Sequence, residues 1–356
     1  MRLGASVGYF SALSGVEDEL RFAVEAERLG YDSLWVGEPY GNDAATVLAW
    51  FAGATSTITL GSGILAIPGR TPAMCGQTAA TLDLISGGRL ILGLGASGPQ
   101  VSEGWHGVRF ARQLQRTREY VDIVRMVVRR DRVRYDGQEF VLPLPDGPGK
   151  ALKLILHPPR REVPVYLAAL GPRNLELCGE IADGWLPLWY APEHAERLAE
   201  PLVAGAERAG RDPAQIAVCP SVMFRVDDDL ERARAIMRPA LALYVGGMGS
   251  REQNFYRALI GSYGYEELSL AVQDRYLGGD QAGAAAMLPD ELIDLVCLCG
   301  PVDRVAARLG DFAGAGVETV IGIPGAMSAD DRLDQLRRLA EAGAAAGVTM
   351  GARAAS

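Results

Sequence analysis

Arg89-Leu-Ile-Leu-Gly-Leu-Gly-Ala-Ser-Gly98 (RLILGLGASG) is the stretch on which the fold turns. Residues 89–94 form a short apolar run, the pattern of a strand buried on both faces. The run then ends in small residues, and Gly93, Gly95 and Gly98 match the spacing GxGxxG. As a dinucleotide fingerprint that spacing needs a helix opening at its third glycine, within the βαβ unit that it begins. Here Pro99 and a polar, glycine-containing loop over 95–112 are expected instead, and the strand is the fourth of the chain, not the first. The stretch therefore reads as a barrel strand whose small terminal residues let backbone approach a flat ligand.

Outward from it, strand and helix alternate. Residues 2–9 and 16–29 form the first pair, with Gly30 as a helix stop. Residues 33–37 and 43–53, then 58–62 and 72–86, precede the central strand, which leads into a helix over 113–130. Further pairs follow at 164–168 and 173–182, 184–188 and 193–209, 216–224 and 230–244, and 319–323 and 330–346. Eight such units of doubly buried strands predict an α/β fold, a (β/α)8 barrel; an open doubly wound sheet is the alternative. The 356 residues are expected to form one domain, 1–356, with insertions at 95–112 and 245–300.

Composition narrows the function. Hydrophobic residues make up 49% and charged residues 22%, as in ordinary globular proteins. A net charge of −9 argues against nucleic acid as a partner. No signal-peptide h-region and no 18-residue apolar run are seen, so no membrane span is expected and the cytoplasm is the default location. The five cysteines are too few and scattered for a disulfide framework. Cys297-Leu-Cys299 lies in an apolar stretch with no His or acidic partner at ligand spacing, so no metal site is expected.

The chemistry-bearing signals gather after the strands, where a barrel places its active site. Gly61-Ser62-Gly63-Ile64-Leu65 closes the third strand with a candidate bulge. Leu170-Gly171-Pro172-Arg173-Asn174 opens a helix whose free amides, beside an Arg, suit a phosphate. Glu38, Tyr40, Asn42 and Asp43 follow the second strand as rim acids, cofactor contacts or helix caps. Of the three histidines, His157 and His194 read as surface residues, and His106 in the rim loop is the best placed for proton transfer.

Together these segments resemble the bacterial luciferase-like superfamily, and within it the actinobacterial oxidoreductases that use the deazaflavin coenzyme F420. LGSGIL (60–65), RLILGLGASGPQVSEGWHG (89–107) and RTREYVDIVR (116–125) carry the resemblance. It continues through PVYLAALGPRNLELCGEIADGWLP (164–187), YVGGMGSREQNFYRALIGSYGY (244–265) and GPVDRVAARL (300–309). The resemblance implies a barrel with the cofactor across its C-terminal mouth and a non-prolyl cis bond at Gly63–Ile64, beside Ser62, backing the ring. It places the phosphate loop at Ala168, Ala169, Leu170, Gly171 and Pro172, extended here to Arg173, and further contacts at Gly95, Ala96, Ser97 and Glu38. The related sugar-phosphate dehydrogenases carry Asp-His after strand two and a Glu after strand four; this chain has Glu38-Pro39 and a position near Gly98. Glu38, Tyr40, Glu103 and His106 are left as candidate proton carriers. Trp105, Trp189, Tyr190, Met248 and Phe255 are candidates for an apolar substrate wall. The expected activity is hydride transfer between F420 and a small organic molecule, by a homodimer. The alternatives are an FMN-dependent monooxygenase and a non-catalytic flavin-binding barrel.

Overall fold

A computed structural model describes residues 1–8 and 15–351; Tyr9, the expected end of the first strand, lies outside them. The chain opens with β1 (Arg2–Ser6), α1 (Val16–Leu29), β2 (Ser33–Val36), α2 (Ala44–Ala54), β3 (Thr59–Ser62), β4 (Leu65–Ala66) and α3 (Pro72–Ile85). It continues through β5 (Leu90–Gly95), α4 (Pro99–Gly104), α5 (Gln113–Val128), the short strands β6 (Tyr135–Asp136) and β7 (Val141–Leu142), β8 (Val165–Leu167), α6 (Pro172–Ile181) and β9 (Gly184–Trp185). Then come α7 (Ala195–Arg208), β10 (Ala217–Val218), β11 (Ser221–Val226), α8 (Leu230–Ala242), α9 (Phe255–Ile260), α10 (Glu266–Leu277), α11 (Gln281–Ala286), α12 (Asp290–Val296), β12 (Leu298–Gly300), α13 (Val302–Gly314), β13 (Thr319–Pro324) and α14 (Ala329–Ala345). Parallel strands alternate with helices, the α/β pattern read from the sequence.

Contacts gather into two units. One comprises Met1–Ser33, Pro187–Glu200 and Ala217–Ser356, the other Leu34–Leu186 and Pro201–Ile216. In the first, β13 lies between β1 and β11, and β12 adds to β11, all in parallel. Leu3, Phe224, Val320, Leu336 and Leu339 fill its core. An ion pair between Glu19 and Arg332 is buried there, with the guanidinium 4.6 Å from the Phe22 ring centroid. In the second unit β9, β8, β5 and β3 are successive parallel neighbours, and β2 follows β3. Leu34, Leu60, Leu92, Leu94 and Val165 are buried along it; α2 packs on β3, α3 on β5, and α5 on α3 and α6.

The departures from the sequence reading have local causes. The loop expected after Gly98 contains a helix, α4, that starts with Pro99 in its first turn. Proline fits there because a first-turn amide needs no partner. The helix has only six residues, too few for periodicity to show it. The insertion 245–300 ends in β12, which holds Cys297's neighbour Leu298 and Cys299 in a parallel ladder with β11. A three-residue apolar strand cannot be told from buried helix by its pattern. Burial pushes the Cys299 thiol up to about 12, consistent with an inert core thiol.

One lock in this fold is exposed to a simple test. The Ser62 hydroxyl is fully buried, donates to the Gly93 carbonyl at 2.8 Å and accepts from the Gly93 amide at 2.9 Å. Ser62→Ala leaves both backbone groups buried without that partner and is expected to cost about 1–3 kcal/mol. The urea midpoint should fall with an unchanged m value; an unmoved midpoint would show the hydroxyl to be dispensable.

Candidate active site

The third strand changes register where the cofactor-backing bulge is expected. Gly61 faces Ile91, but Leu65 faces Leu94, so four steps along β3 and β4 meet three along β5. One residue is extra, which defines a bulge. The Gly63–Ile64 peptide within it is cis, as the resemblance implied. The Gly63 amide donates to the Val36 carbonyl at 2.8 Å, tying the bulge to β2. Close packing from β5 explains the glycines there. A Cβ on Gly93 would lie 1.9 Å from the Ser62 carbonyl oxygen, and one on Gly95 would lie 2.9 Å from the Ile64 side chain. Gly93 accepts no side chain while the bulge stays where it is, whereas a side chain at Gly95 would require the Ile64 side chain to shift.

Glu38, at the end of β2, lies beside this bulge. Its carboxylate accepts from the Arg70 guanidinium at 2.5 and 2.8 Å, from the Ala66 amide at 3.0 Å and from the Ala44 amide at 3.2 Å. Asp43 caps α2 through the Thr46 amide and also bonds Arg70. Burial raises the Asp43 carboxyl, but its Thr46 bonds and the Arg70 charge outweigh this and hold it below the ordinary range. Asn42 donates to the Gly37 carbonyl at 3.1 Å, while the Tyr40 side chain is exposed. Arg70 is a partner the sequence reading missed. Nothing in linear spacing links positions 38 and 70.

After β5, Ser97 takes a left-handed backbone with φ of 60°, and α4 follows. Beyond it, Glu103 is exposed and accepts from the Phe110 amide at 3.0 Å. Trp105 is 67% exposed, and the half-buried His106 ring packs on Gly69. Ala96 is half-buried and lies between Gly95 and Ser97.

The anion site is expected in the loop after β8. The Ala168 amide donates to Leu94 at 3.0 Å, and the Ala169 carbonyl accepts from the Trp185 indole at 2.9 Å. Leu170 is half-buried, and Gly171 starts α6 with no side-chain cap, followed by Pro172. The first-turn amides of such a helix attract anions. Arg173 is exposed and forms no ion pair among the described residues. A Cβ on Gly171 would meet nothing within 4 Å. That empty approach belongs to the loop's outer face, so the residues present fit a phosphate.

In the other unit, Trp189 is fully buried with φ of 58°, an uncommon backbone for a bulky residue. Its ring meets Tyr244 edge-on at 5.3 Å, Tyr244 meets Tyr256 at 4.8 Å, and its carbonyl accepts from the Tyr263 hydroxyl at 2.9 Å. Tyr190 turns instead to Phe312, 6.1 Å away, and burial pushes its hydroxyl up to about 12. Met248 is half-buried after a π-helical turn at Leu243–Gly247, and Phe255 is half-exposed at the start of α9. His194 is not a loose surface residue: it stacks on Tyr263 at 4.8 Å, and burial, with Arg197 nearby, lowers its pKa. The aromatic group around Trp189 therefore contains Tyr244, Tyr256 and Tyr263, none of which the sequence reading singled out.

Comparison with known proteins agrees with this geometry. The sequence profile of the luciferase-like monooxygenases matches residues 3–319. A Mycobacterium tuberculosis protein whose name assigns it to the coenzyme F420-dependent oxidoreductases is 40% identical over 328 residues, 90% of this chain and 94% of its own. The 5,10-methylenetetrahydromethanopterin reductase of Methanolobus tindarius is 30% identical over 301 residues, 84% and 88% of the two chains. Among solved structures, the coenzyme F420-dependent tetrahydromethanopterin reductase of Methanopyrus kandleri superposes with a TM-score of 0.77 at 22% identity, covering 95% of this chain and 97% of that one. The likeness shows a luciferase-like α/β barrel fold.

Gly171 offers a clean probe of the anion site. Its φ of −82° and ψ of 153° suit a β-branched residue. Gly171→Val should leave thermal unfolding unchanged and weaken a phosphate-bearing flavin-type cofactor by about tenfold, a loss of about 1.4 kcal/mol. Unchanged affinity in a folded variant would remove the loop from the binding site.

Proposed function

The chain belongs to the luciferase-like monooxygenase family, and on that premise we propose that it is an F420-dependent oxidoreductase acting on a small organic substrate. The observation that carries this reading is the bulge between Gly61 and Leu65, closely packed by Gly93, in the same unit as the uncapped start of α6. When bound, the deazaflavin gives or takes a hydride at C5.

The protein's part is to bind, orient and manage a proton. Ser62, Gly63 and Ile64 would hold the ring, together with Gly95, Ala96 and Ser97. Ala168, Ala169, Leu170, Gly171, Pro172 and Arg173 would hold the phosphate. Glu38 is engaged by Arg70 and two amides, so it serves as an anchor and not as the acid. The proton role falls to Tyr40, Glu103 or His106, and we assign it to His106. Its ring is half-buried whereas the other two side chains are exposed, and an imidazole nitrogen can both give and accept a proton. The reaction is reduction of a C=C, C=N or C=O bond, or the reverse oxidation. We assign Trp105 to the apolar surroundings of the substrate; Trp189, Met248 and Phe255, in the other unit, are further apolar candidates, and Tyr190 packs on Phe312.

In this reading the enzyme is a single barrel domain that works as a cytoplasmic homodimer. No helix among the described residues is long and apolar enough to cross a membrane.

A fluorescence titration with F420 and with FMN tests the assignment. F420 should bind with micromolar or better affinity and FMN at least about tenfold more weakly. Equal or tighter FMN binding would favour a flavin monooxygenase, and F420 binding without turnover of any acceptor would favour a non-catalytic binder. His106→Gln should lower turnover by about 100-fold and leave F420 affinity unchanged. Turnover within a few-fold of wild type would move the proton step to Tyr40, Glu103 or water.

A further inference from the structure

Arg70 stands at the centre of a closed set of contacts that joins both sides of the cis bulge. It follows β4 and the short 3-10 turn Ile67–Gly69. One guanidinium nitrogen donates to Glu38 Oε2 at 2.5 Å; another donates to Glu38 Oε1 at 2.8 Å and also reaches Asp43. The Arg70 carbonyl accepts from the hydroxyl of Tyr120, on α5, at 3.2 Å. Glu38 in turn takes the Ala66 amide, two residues beyond the cis bond, and the Ala44 amide at the start of α2. The Arg70 and Glu38 side chains are only 16% and 10% exposed. That sets the pair apart from a surface ion pair, which holds little in place.

We propose that Arg70 is a positioning residue for the redox site, acting through Glu38 to fix where the Gly63–Ile64 backbone meets the cofactor ring. The inference rests on the cofactor reading above for what is being positioned, but the clamp itself is a property of the ligand-free protein. The bulge is held at one end by Ser62 on Gly93 and at the other by Ala66 on Glu38. With both ends fixed, residues 63–65 cannot slide along β5. The carboxylate can hold Ala66 only if its own direction is fixed, and the two-pronged Arg70 contact fixes it. A lysine cannot do this, because one ammonium cannot span both oxygens of Glu38 and Asp43 together. Removing the charge of Glu38 instead loosens the Arg70 contact while leaving the side chain's shape. Both changes should thus release the same backbone.

Hydrogen–deuterium exchange of ligand-free wild type, Arg70→Lys and Glu38→Gln, read by mass spectrometry, tests the clamp without any cofactor. Arg70→Lys should speed exchange over residues 63–67 by about tenfold and leave α5 unchanged. The same variant should bind F420 about tenfold more weakly, while the KM for the acceptor at saturating F420 holds. A merely structural loss would speed exchange throughout the unit and leave the affinity of the folded fraction unaltered, which overturns the proposal. Unchanged exchange over 63–67 overturns it too, as does faster exchange with wild-type F420 affinity. Should Arg70→Lys fail to fold, the charge-free pair Glu38→Gln with Arg70→Met carries the same readouts. Wild type that binds neither F420 nor FMN would sink the cofactor reading, and the exchange over 63–67 would still decide whether Arg70 is the clamp.

Discussion

One extra residue between Gly61 and Leu65 is the constraint from which the site follows. A regular ladder would keep β3 flat against β5 and hide its backbone in hydrogen bonds. The bulge breaks the ladder, so groups around it need other partners. The Ser62 hydroxyl serves the Gly93 amide and carbonyl, Val36 takes the Gly63 amide, and Glu38 takes that of Ala66. These partners come from β5 and from the end of β2, and together they define one backbone position. The small residues on β5 follow from the same demand, since a side chain on Gly93 or Gly95 would collide with the bulge.

The proposed anion site uses a simpler device. Gly171 and Pro172 begin α6 without a capping side chain, and with the Asn174 and Leu175 amides already donating to the Gly171 carbonyl, the amides of Gly171 and Arg173 are the ones left for an outside partner. The two devices lie in one unit and use backbone more than side chains. Glu38-Pro39 follows β2, and the Glu38 carboxylate is bound to Arg70.

Much of this was legible in the sequence, for physical reasons that differ by position. Strand ends such as Gly93-Leu-Gly95 and Gly61-Ser-Gly63 stand out because backbone approach demands small residues, a local signal. The start of α6 is likewise local, with Gly, Pro and Arg in order. The cis bond was legible only through the family resemblance, since Gly-Ile alone does not require it. Arg70 and its link to Glu38 were not legible, because a contact across 32 residues leaves no periodic trace. Nor was β12, whose three residues are too short to distinguish strand from buried helix. Trp189 and Tyr190 are neighbours in sequence, yet one joins Tyr244 and the other Phe312. Only the left-handed backbone at Trp189 separates them, and composition does not encode it.

The central claim is that the bulge and the start of α6 hold opposite ends of one deazaflavin cofactor. A crystal structure of the protein with F420 bound tests it most directly. The expected result is a ring lying against the Gly63–Ile64 backbone with a phosphate oxygen within hydrogen-bond distance of the Gly171 or Arg173 amide. A ring seated away from residues 62–66, or a phosphate held anywhere but the start of α6, would contradict it.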